Sequence, residues 1–299
     1  MLSNQKQGVI FALFAYTFWA FAPIYFKTMD AVPALEILTH RVIWSLIITL
    51  MIIALTKRGP ALIMAMKSSK TRRYLLLTTL LIGGNWGVFI WAVNDNRLLE
   101  ASLGYYINPL INIILGMFFF AERLDRPQKI AAFLCLIAVG FELIQFGKIP
   151  WVALFLATSF AFYGFFRKKL GVDSFVGMAL ETALLLPFVL ILFIWVPSST
   201  LNIANNSLNL NLLLFLAGPI TMIPLLCFAA AANRLSLTAL GFFQYIGPSG
   251  MFLLAVFIYD EPLSTEKLIT FAIIWCALAL LIWDNIMKVK HRRGAIKQK

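Results

Sequence analysis

Three ionisable side chains, Glu36, His40 and Arg41, lie within two helical turns of one apolar stretch. The flanking residues are apolar, AVPAL before and LIITLMIIAL after, which predicts a helix over 34–56. Glu36 and His40 are four residues apart and would share a face of the helix. Arg41 would lie ~10 Å along the helix from the outer membrane interface. A carboxylate, an imidazole and a guanidinium at that depth could bind a polar solute or carry protons. Alternatively, Glu36 caps the helix start and Arg41 extends outward to polar surroundings.

A second carboxylate, Glu181, lies in the apolar stretch VGMALETALLLPF. Its predicted helix runs in the opposite direction to that of Arg41, and both residues lie about seven positions inside. Their levels are then ~10 Å apart in an apolar layer of ~30 Å, so we place them at separate polar stations. We expect no cation near Glu181, which makes Glu181 and His40 candidates for proton coupling. The alternative is a structural hydrogen bond from Glu181 to a neighbouring helix.

Further polar and aromatic residues recur inside the apolar stretches. Asn85 and Trp86 belong to GGNWG, whose glycine pair, Gly83 and Gly87, predicts close helix packing. Such residues could form a cavity that stacks flat organic solutes and hydrogen-bonds their edges, although aromatic residues also line lipid interfaces. The candidate solute-binding residues are Trp19, His40, Arg41, Asn85, Trp86, Tyr106, Asn108, Tyr163, Glu181, Gln244 and Tyr245.

The composition indicates an integral membrane protein. Of 299 residues, 61% are hydrophobic and 13% are charged, and the mean hydropathy is +0.87. A soluble domain has about 25% charged residues. The net charge of +12 comes from Lys and Arg in short segments between apolar runs, which argues against nucleic-acid binding. The three cysteines lie in apolar runs without metal-ligand spacing, and we expect no metal or cofactor.

Ten apolar runs of about 20 residues predict transmembrane helices. They cover 8–27, 34–56, 74–94, 100–121, 127–146, 149–167, 174–195, 210–232, 236–259 and 266–287. Most Lys and Arg residues fall in the connections on one side, together with the two termini. Because cytoplasmic loops are enriched in Lys and Arg, both termini are predicted to be cytoplasmic.

The sequence contains an internal repeat. A shift of 139 residues aligns the segment from Asn94 with the segment from Asn233 without a gap, and nine of 31 positions are identical. The identities include three pairs that apolar composition does not explain: Asn94 with Asn233, Pro109 with Pro248 and Glu122 with Glu261. The repeats are then residues 1–147 and 148–299, each with five helices. Because five is odd, the second repeat is inverted in the membrane, which is typical of secondary transporters.

Several motifs resemble the RarD branch of the EamA-type drug/metabolite transporters over nearly the whole chain. They are YTFWAFAPIYFK, EILTHRVIWS, LIGGNWGVFIWAVN, EASLGYYINPLINIILGM, FAERL and FFQYIGP. The resemblance implies a ten-helix fold of two inverted five-helix repeats. It implies that helices one to four and six to nine surround a central cavity, and that helices five and ten pack outside it. It defines no substrate beyond the branch's link to chloramphenicol.

Together these observations predict an all-α, multi-pass protein of a bacterial inner membrane that transports small organic metabolites or drugs by alternating access. The solute is expected to be amino-acid-like or an aromatic drug, the surroundings are the lipid bilayer, and no nucleic acid is bound. A homodimer is left open. The alternatives are a membrane enzyme that acts on a lipid-linked substrate and a passive channel. No HExxH, GxSxG or Walker A motif is present in the sequence.

The predicted topology can be tested with reporter fusions. Fusions near residues 65 and 170 should report the cytoplasm, and fusions near residues 97 and 203 should report the periplasm. A result in which both halves have the same orientation would contradict the inverted repeat.

Overall fold

A computed structural model describes residues 4–29, 31–95, 97–195, 200, 202–259 and 265–297. Throughout these ranges the regular secondary structure is helical. The helices are α1 (Asn4–Lys27), α2 (Ala34–Leu55), α3 (Gly59–Lys67), α4 (Ser69–Asn94), α5 (Leu98–Phe120), α6 (Arg126–Phe146), α7 (Trp151–Leu170), α8 (Ser174–Trp195), α9 (Leu208–Ala232), α10 (Leu237–Gln244), α11 (Ile246–Phe257) and α12 (Thr265–Lys297).

The predicted apolar run over 236–259 is divided into α10 and α11, which meet at Tyr245. Pro248 explains the interruption, because it has no N–H to donate to the Gln244 carbonyl and its ring crowds that carbonyl. The matched residue Pro109 lies inside α5, which is continuous. The prediction also treated 59–67 as a loop, whereas it forms the short helix α3 with Pro60 in its first turn.

Among the described residues, eight helical stretches are long and apolar enough to cross a membrane. They lie in α1, α2, α5, α6, α8, α9, the α10–α11 pair and α12. Large apolar side chains such as Leu55, Phe118 and Ile144 are 75–81% exposed, a distribution that suits contact with lipid. The protein is therefore an all-helical, multi-pass membrane protein. The predicted spans in α4 and α7 are helices but are not among the eight stretches.

Helices from the two halves of the chain interleave. α2 packs on α8 and α9, α1 on α9 and α11, α4 on α7 and α8, α5 on α7 and α10, and α6 on α12. This set of contacts maps onto itself when α1 is exchanged with α7, α2 with α8, α4 with α9, α5 with the α10–α11 pair, and α6 with α12. The two halves therefore make equivalent packing contacts with each other.

The glycine pair in GGNWG has two different environments. A Cβ atom at Gly83 would come within 2.6 Å of Leu185 Cδ2 on α8, so a side chain there would force Leu185 to move. A Cβ atom at Gly87 would meet no atom within 4 Å. The predicted close packing is therefore confirmed at Gly83 and wrong at Gly87.

Glu122, two residues after α5, fixes the start of α10. Its two carboxylate oxygens accept hydrogen bonds from the backbone N–H groups of Leu237 and Thr238, each at 2.8 Å. The first N–H groups of a helix have no partner within the helix and carry partial positive charge, which a carboxylate stabilises. The repeat counterpart, Glu261, lies outside the described residues.

We expect Glu122→Ala to lower the free energy of unfolding by about 1–2 kcal/mol, because the start of α10 loses its charged acceptor. The measurement is unfolding of the purified protein in detergent micelles. The matched control is Glu266→Ala, which removes an exposed carboxylate from the first turn of α12 and should cost about 0.5 kcal/mol or less. Equal losses in the two variants would contradict this assignment.

Candidate functional site

Arg41 lies where α2 meets three other helices. Its Nε atom donates a hydrogen bond to Thr221 Oγ1 of α9 at 2.7 Å. The guanidinium carbon is 5.0 Å from the ring centroid of Trp86 on α4 and 5.6 Å from that of Phe26 on α1. At these distances a guanidinium is attracted to the faces of aromatic rings. The predicted site residues Arg41 and Trp86 are thus in contact with each other.

Two tyrosines complete what we call the Arg41 cluster, which consists of Arg41, Trp86, Phe26, Thr221, Tyr25 and Tyr105. Tyr25 and Tyr105 interact electrostatically with Arg41, and the Tyr25 hydroxyl donates to the Leu213 carbonyl of α9 at 2.7 Å. Tyr105 is nevertheless 41% exposed, and Arg41 is partly exposed. Polar groups at this depth of a membrane protein are exposed where they line a water-filled cavity. The Arg41 cluster is therefore the candidate solute site.

Glu36 and His40 form a different cluster. Glu36 accepts hydrogen bonds from the backbone N–H of Thr200, at 2.9 Å, and from the Thr200 hydroxyl. His40 Nε2 is 3.3 Å from Thr200 Oγ1, and both Glu36 and His40 are buried. Thr200 belongs to the connection between α8 and α9, so these contacts hold that connection against α2. The roles of His40 as a solute ligand and proton carrier stay predictions.

Glu181 lies in a buried polar cluster near the other end of the bundle. Its Oε1 atom accepts from the Thr78 hydroxyl of α4 at 2.6 Å, and its Oε2 atom accepts from the Tyr163 hydroxyl of α7 at 3.2 Å. Arg167 Nη1 is 3.6 Å from Oε1. The expectation that no cation is near Glu181 is therefore wrong. We call Thr78, Tyr163, Arg167 and Glu181 the Glu181 cluster.

The predicted span 149–167 ends at Arg167, but α7 continues to Leu170. Gly171, with φ of 63°, ends the helix, and glycine is the residue that most readily adopts this left-handed cap. This glycine is the sequence signal that could have placed Arg167 in the last turn. The Arg167 side chain is 2% exposed and lies across Gly177 of α8, where a Cβ atom would be 1.6 Å from Nη1.

The predicted amide residues bind other parts of the protein. Asn108 donates to the Ala157 carbonyl of α7, and Asn112 donates to Asn108 Oδ1 at 3.1 Å and to Gln244 Oε1 at 2.8 Å. These buried amides join α5 to α7 and α10. Asn85, one residue before Trp86, donates at 2.9 Å to the Leu156 carbonyl and at 2.9 Å to the Ser159 hydroxyl, both on α7.

The remaining aromatic candidates lie in packed regions. Tyr163 is stacked on Phe228 with ring centroids 6.1 Å apart, and Trp19 is 6.0 Å from the same ring. Tyr106 packs on Phe271 of α12, and the Tyr245 hydroxyl is 3.4 Å from the Tyr106 carbonyl oxygen. Tyr106 is a site candidate partly because its counterpart in the internal repeat, Tyr245, is also a tyrosine. That identity accompanies packing toward α6 and α12, while the adjacent residue Tyr105 interacts with Arg41.

An apolar groove of about 520 Å³ runs along α1, and its lining includes Phe14, Phe18, Phe21 and Tyr25, the last of which it shares with the Arg41 cluster. No charged side chain lines it. Its surface suits acyl chains rather than a polar solute, so we distinguish it from the Arg41 cluster.

Comparisons with known proteins agree with a helical membrane protein. The sequence profile of the EamA-like transporter family matches residues 6–143. The chain is 51% identical to an uncharacterized transporter of Vibrio cholerae serotype O1, over 95% of this chain and 94% of the relative. It is also 51% identical to Protein RarD of Escherichia coli strain K12, over 95% of this chain and 96% of that protein.

A more distant relative is the chloramphenicol-sensitive protein RarD of Pseudomonas aeruginosa, with 31% identity over 96% of this chain and 98% of the relative. One solved crystal structure is similar to this fold with a TM-score of 0.73 and 16% identity, over 92% of this chain and 97% of the other. At that identity the similarity shows the fold alone. From the sequence relatives, the chain belongs to the EamA-like transporter family and, within it, to the RarD branch.

A double-mutant cycle tests the buried pair in the Glu181 cluster. We expect Arg167→Met to lower the free energy of unfolding by about 3 kcal/mol, because Glu181 is left as an uncompensated buried charge. Adding Glu181→Gln should recover part of that loss, since the amide retains partners in Thr78 and Tyr163. Unfolding in micelles provides the measurement, with Arg58→Met at an exposed arginine as the control. Strictly additive losses would show that the two side chains are not coupled.

Proposed function

We propose that the protein is a secondary transporter that moves small organic solutes by alternating access, with the Arg41 cluster as its solute site. The observation that carries the proposal is the position of Arg41. A charged side chain inside a membrane-spanning helix is costly, and such residues usually line solute pathways. Arg41 is partly exposed and contacts side chains from α1, α4 and α9, so it joins both halves of the chain.

The proposed architecture is ten transmembrane helices in two inverted repeats, 1–147 and 148–299, with both termini in the cytoplasm. Three observations support it. The family profile falls within the first repeat, the helix contacts map onto themselves when the halves are exchanged, and Lys and Arg are concentrated on one side. Bacterial relatives support a location in the bacterial inner membrane.

The two polar clusters suggest how the halves alternate. Arg41 on α2 bonds Thr221 on α9, and Glu181 on α8 bonds Thr78 on α4. Exchange of α2 with α8 and of α9 with α4 relates the two contacts. In this structure Arg41 is partly exposed, whereas Glu181 is 2% exposed. Inverted repeats reach their second state by exchanging the conformations of the two halves, so Glu181 becomes accessible when Arg41 is covered.

The buried ion pair gives Glu181 a route to proton coupling. Ionised Glu181 is attracted to Arg167, and protonation removes that attraction while leaving oxygen atoms to accept from Thr78 and Tyr163. Proton binding at Glu181 would therefore weaken the contact between α7 and α8 at the end of the bundle where Glu181 is buried. His40 is the second candidate, but it lies on α2 next to Thr200 of the α8–α9 connection and away from this ion pair.

The proposal is tested in proteoliposomes with radiolabelled L-phenylalanine and chloramphenicol as probes. We expect saturable uptake and exchange of at least one probe, and an at least ten-fold lower rate for Arg41→Ala. Arg58→Ala, at an exposed arginine, should retain the wild-type rate. Glu181→Gln should lose flux driven by a pH gradient yet retain exchange, since exchange needs no net proton transfer.

Each alternative has its own result in this assay. A chemically altered probe would indicate an enzyme, and flux that rises linearly with concentration would indicate a channel. Wild-type flux that ignores an imposed pH gradient would contradict proton coupling and leave uniport or another ion. A charge-exchanged Arg41→Glu/Glu181→Arg variant with full activity would contradict two separate stations.

A further inference from the structure

The terminal nitrogens of Arg41 have no protein acceptor in the part of the chain that the structure describes. The bond from Nε to Thr221 is the hydrogen bond that Arg41 makes there, and its electrostatic neighbours are the hydroxyls of Tyr25 and Tyr105. The ion pairs of the described residues do not include Arg41. Two N–H-bearing nitrogens, Nη1 and Nη2, are therefore available to a ligand.

Among the described residues, no carboxylate forms an ion pair with Arg41. Arg167, which is buried between α7 and α8, has the Glu181 carboxylate at 3.6 Å. Glu36, one turn before Arg41, is directed to Thr200. Aromatic faces and hydroxyl groups offset part of the cost of Arg41, but an unpaired cation at this depth still favours an anionic ligand.

The orientation of the guanidinium selects the kind of anion. The bond from Nε to Thr221 occupies one edge of the planar group and leaves the edge formed by Nη1 and Nη2. That edge matches the two oxygens of a carboxylate in a bidentate pair. In the described ranges the electrostatic neighbours of Arg41 are Tyr105 and Tyr25 and include no second cation, so the site has one positive charge for one negative charge. This stoichiometry suits a carboxylate better than a phosphate dianion.

The walls of the Arg41 cluster select the rest of the molecule. Trp86 and Phe26 present their rings to the guanidinium, and Tyr105 adds a third, partly exposed ring. A flat apolar group can pack on these rings beside a carboxylate that is bound to Arg41. We infer that the solute is an aromatic or similarly flat organic carboxylate, anchored by Arg41 and packed on Trp86. The inference rests on the proposed role of the Arg41 cluster as the solute site.

Binding to the full-length protein in detergent, measured by titration calorimetry, tests the inference without requiring transport. The probes are indole-3-acetate, 3-phenylpropanoate and 4-hydroxyphenylacetate, each compared with its neutral carboxamide, together with acetate and inorganic phosphate. At least one aromatic carboxylate should bind, and its carboxamide at least ten-fold more weakly. Acetate should also bind at least ten-fold more weakly, because it has no ring to pack on Trp86.

Variants separate the two parts of the site. Arg41→Gln should bind the carboxylate and its carboxamide equally, and Arg41→Lys should retain part of the preference because it keeps the charge without the bidentate edge. Trp86→Leu should weaken binding of the carboxylate and its carboxamide alike while preserving the preference for the carboxylate. Arg58→Gln should match the wild type. The unfolding midpoint of each variant establishes that the binding change is not a loss of folding.

Three results would overturn the inference: no binding by any of the aromatic carboxylates, equal binding of acid and amide, or a preference that survives Arg41→Gln. Tighter binding of phosphate than of any aromatic carboxylate would overturn the assignment of a flat organic anion. The proposed function fails differently. A protein that shows the predicted acid preference but does not move the bound carboxylate into liposomes would contradict the transporter and leave the binding site standing.

Discussion

The cost of placing a charge in an apolar layer is the constraint on which this structure depends. Such a charge must be balanced by protein, by water or by a ligand. The protein balances Arg167 with the carboxylate of Glu181 and excludes solvent from both. It leaves Arg41 partly exposed, with aromatic rings and hydroxyl groups around it. One arginine therefore stabilises a closed contact between helices, and the other remains available for binding.

The sequence was sufficient to identify most of the helices, because long apolar runs follow from counting residues, but not the short helix α3 or the division between α10 and α11. It was less sufficient for the site, because a helix that is apolar on all sides gives no pattern to show which face meets which neighbour. The adjacent residues Tyr105 and Tyr106 point in directions about 100° apart around α5. Because both are tyrosines, the residue type gives no reason to prefer one of them as a site residue. The amides illustrate the same limit, since the sequence did not show that Asn108 and Gln244 belong to a buried hydrogen-bonded chain between helices.

Arg167 shows a different limit of sequence interpretation. Three consecutive basic residues, Arg167 to Lys169, suggested a solvated loop, but the first of them turns inward. Its position depends on Gly177, a residue ten positions later on another helix, whose missing side chain makes room for the guanidinium. Neither residue is informative alone, because a basic residue near a helix end and a glycine in a transmembrane helix are both common. Only their proximity in three dimensions identifies the buried pair.

The hydrogen bonds of α2 also indicate which helices can move together as a rigid body. α2 belongs to the first half of the chain, yet four of its side chains form hydrogen bonds with the second half. The pairs are Glu36 with Thr200, Arg41 with Thr221, Ser45 with Gly218 and Thr49 with Met222. A rearrangement in which the two sequence halves move as rigid bodies would break all of these bonds. A rearrangement in which α2 moves together with α9 breaks none of the bonds to Gly218, Thr221 and Met222. For the proposed alternating access, the moving bodies are therefore better defined by the interleaved packing of α2 with α9, and of its counterpart α8 with α4, than by the boundaries of the repeats.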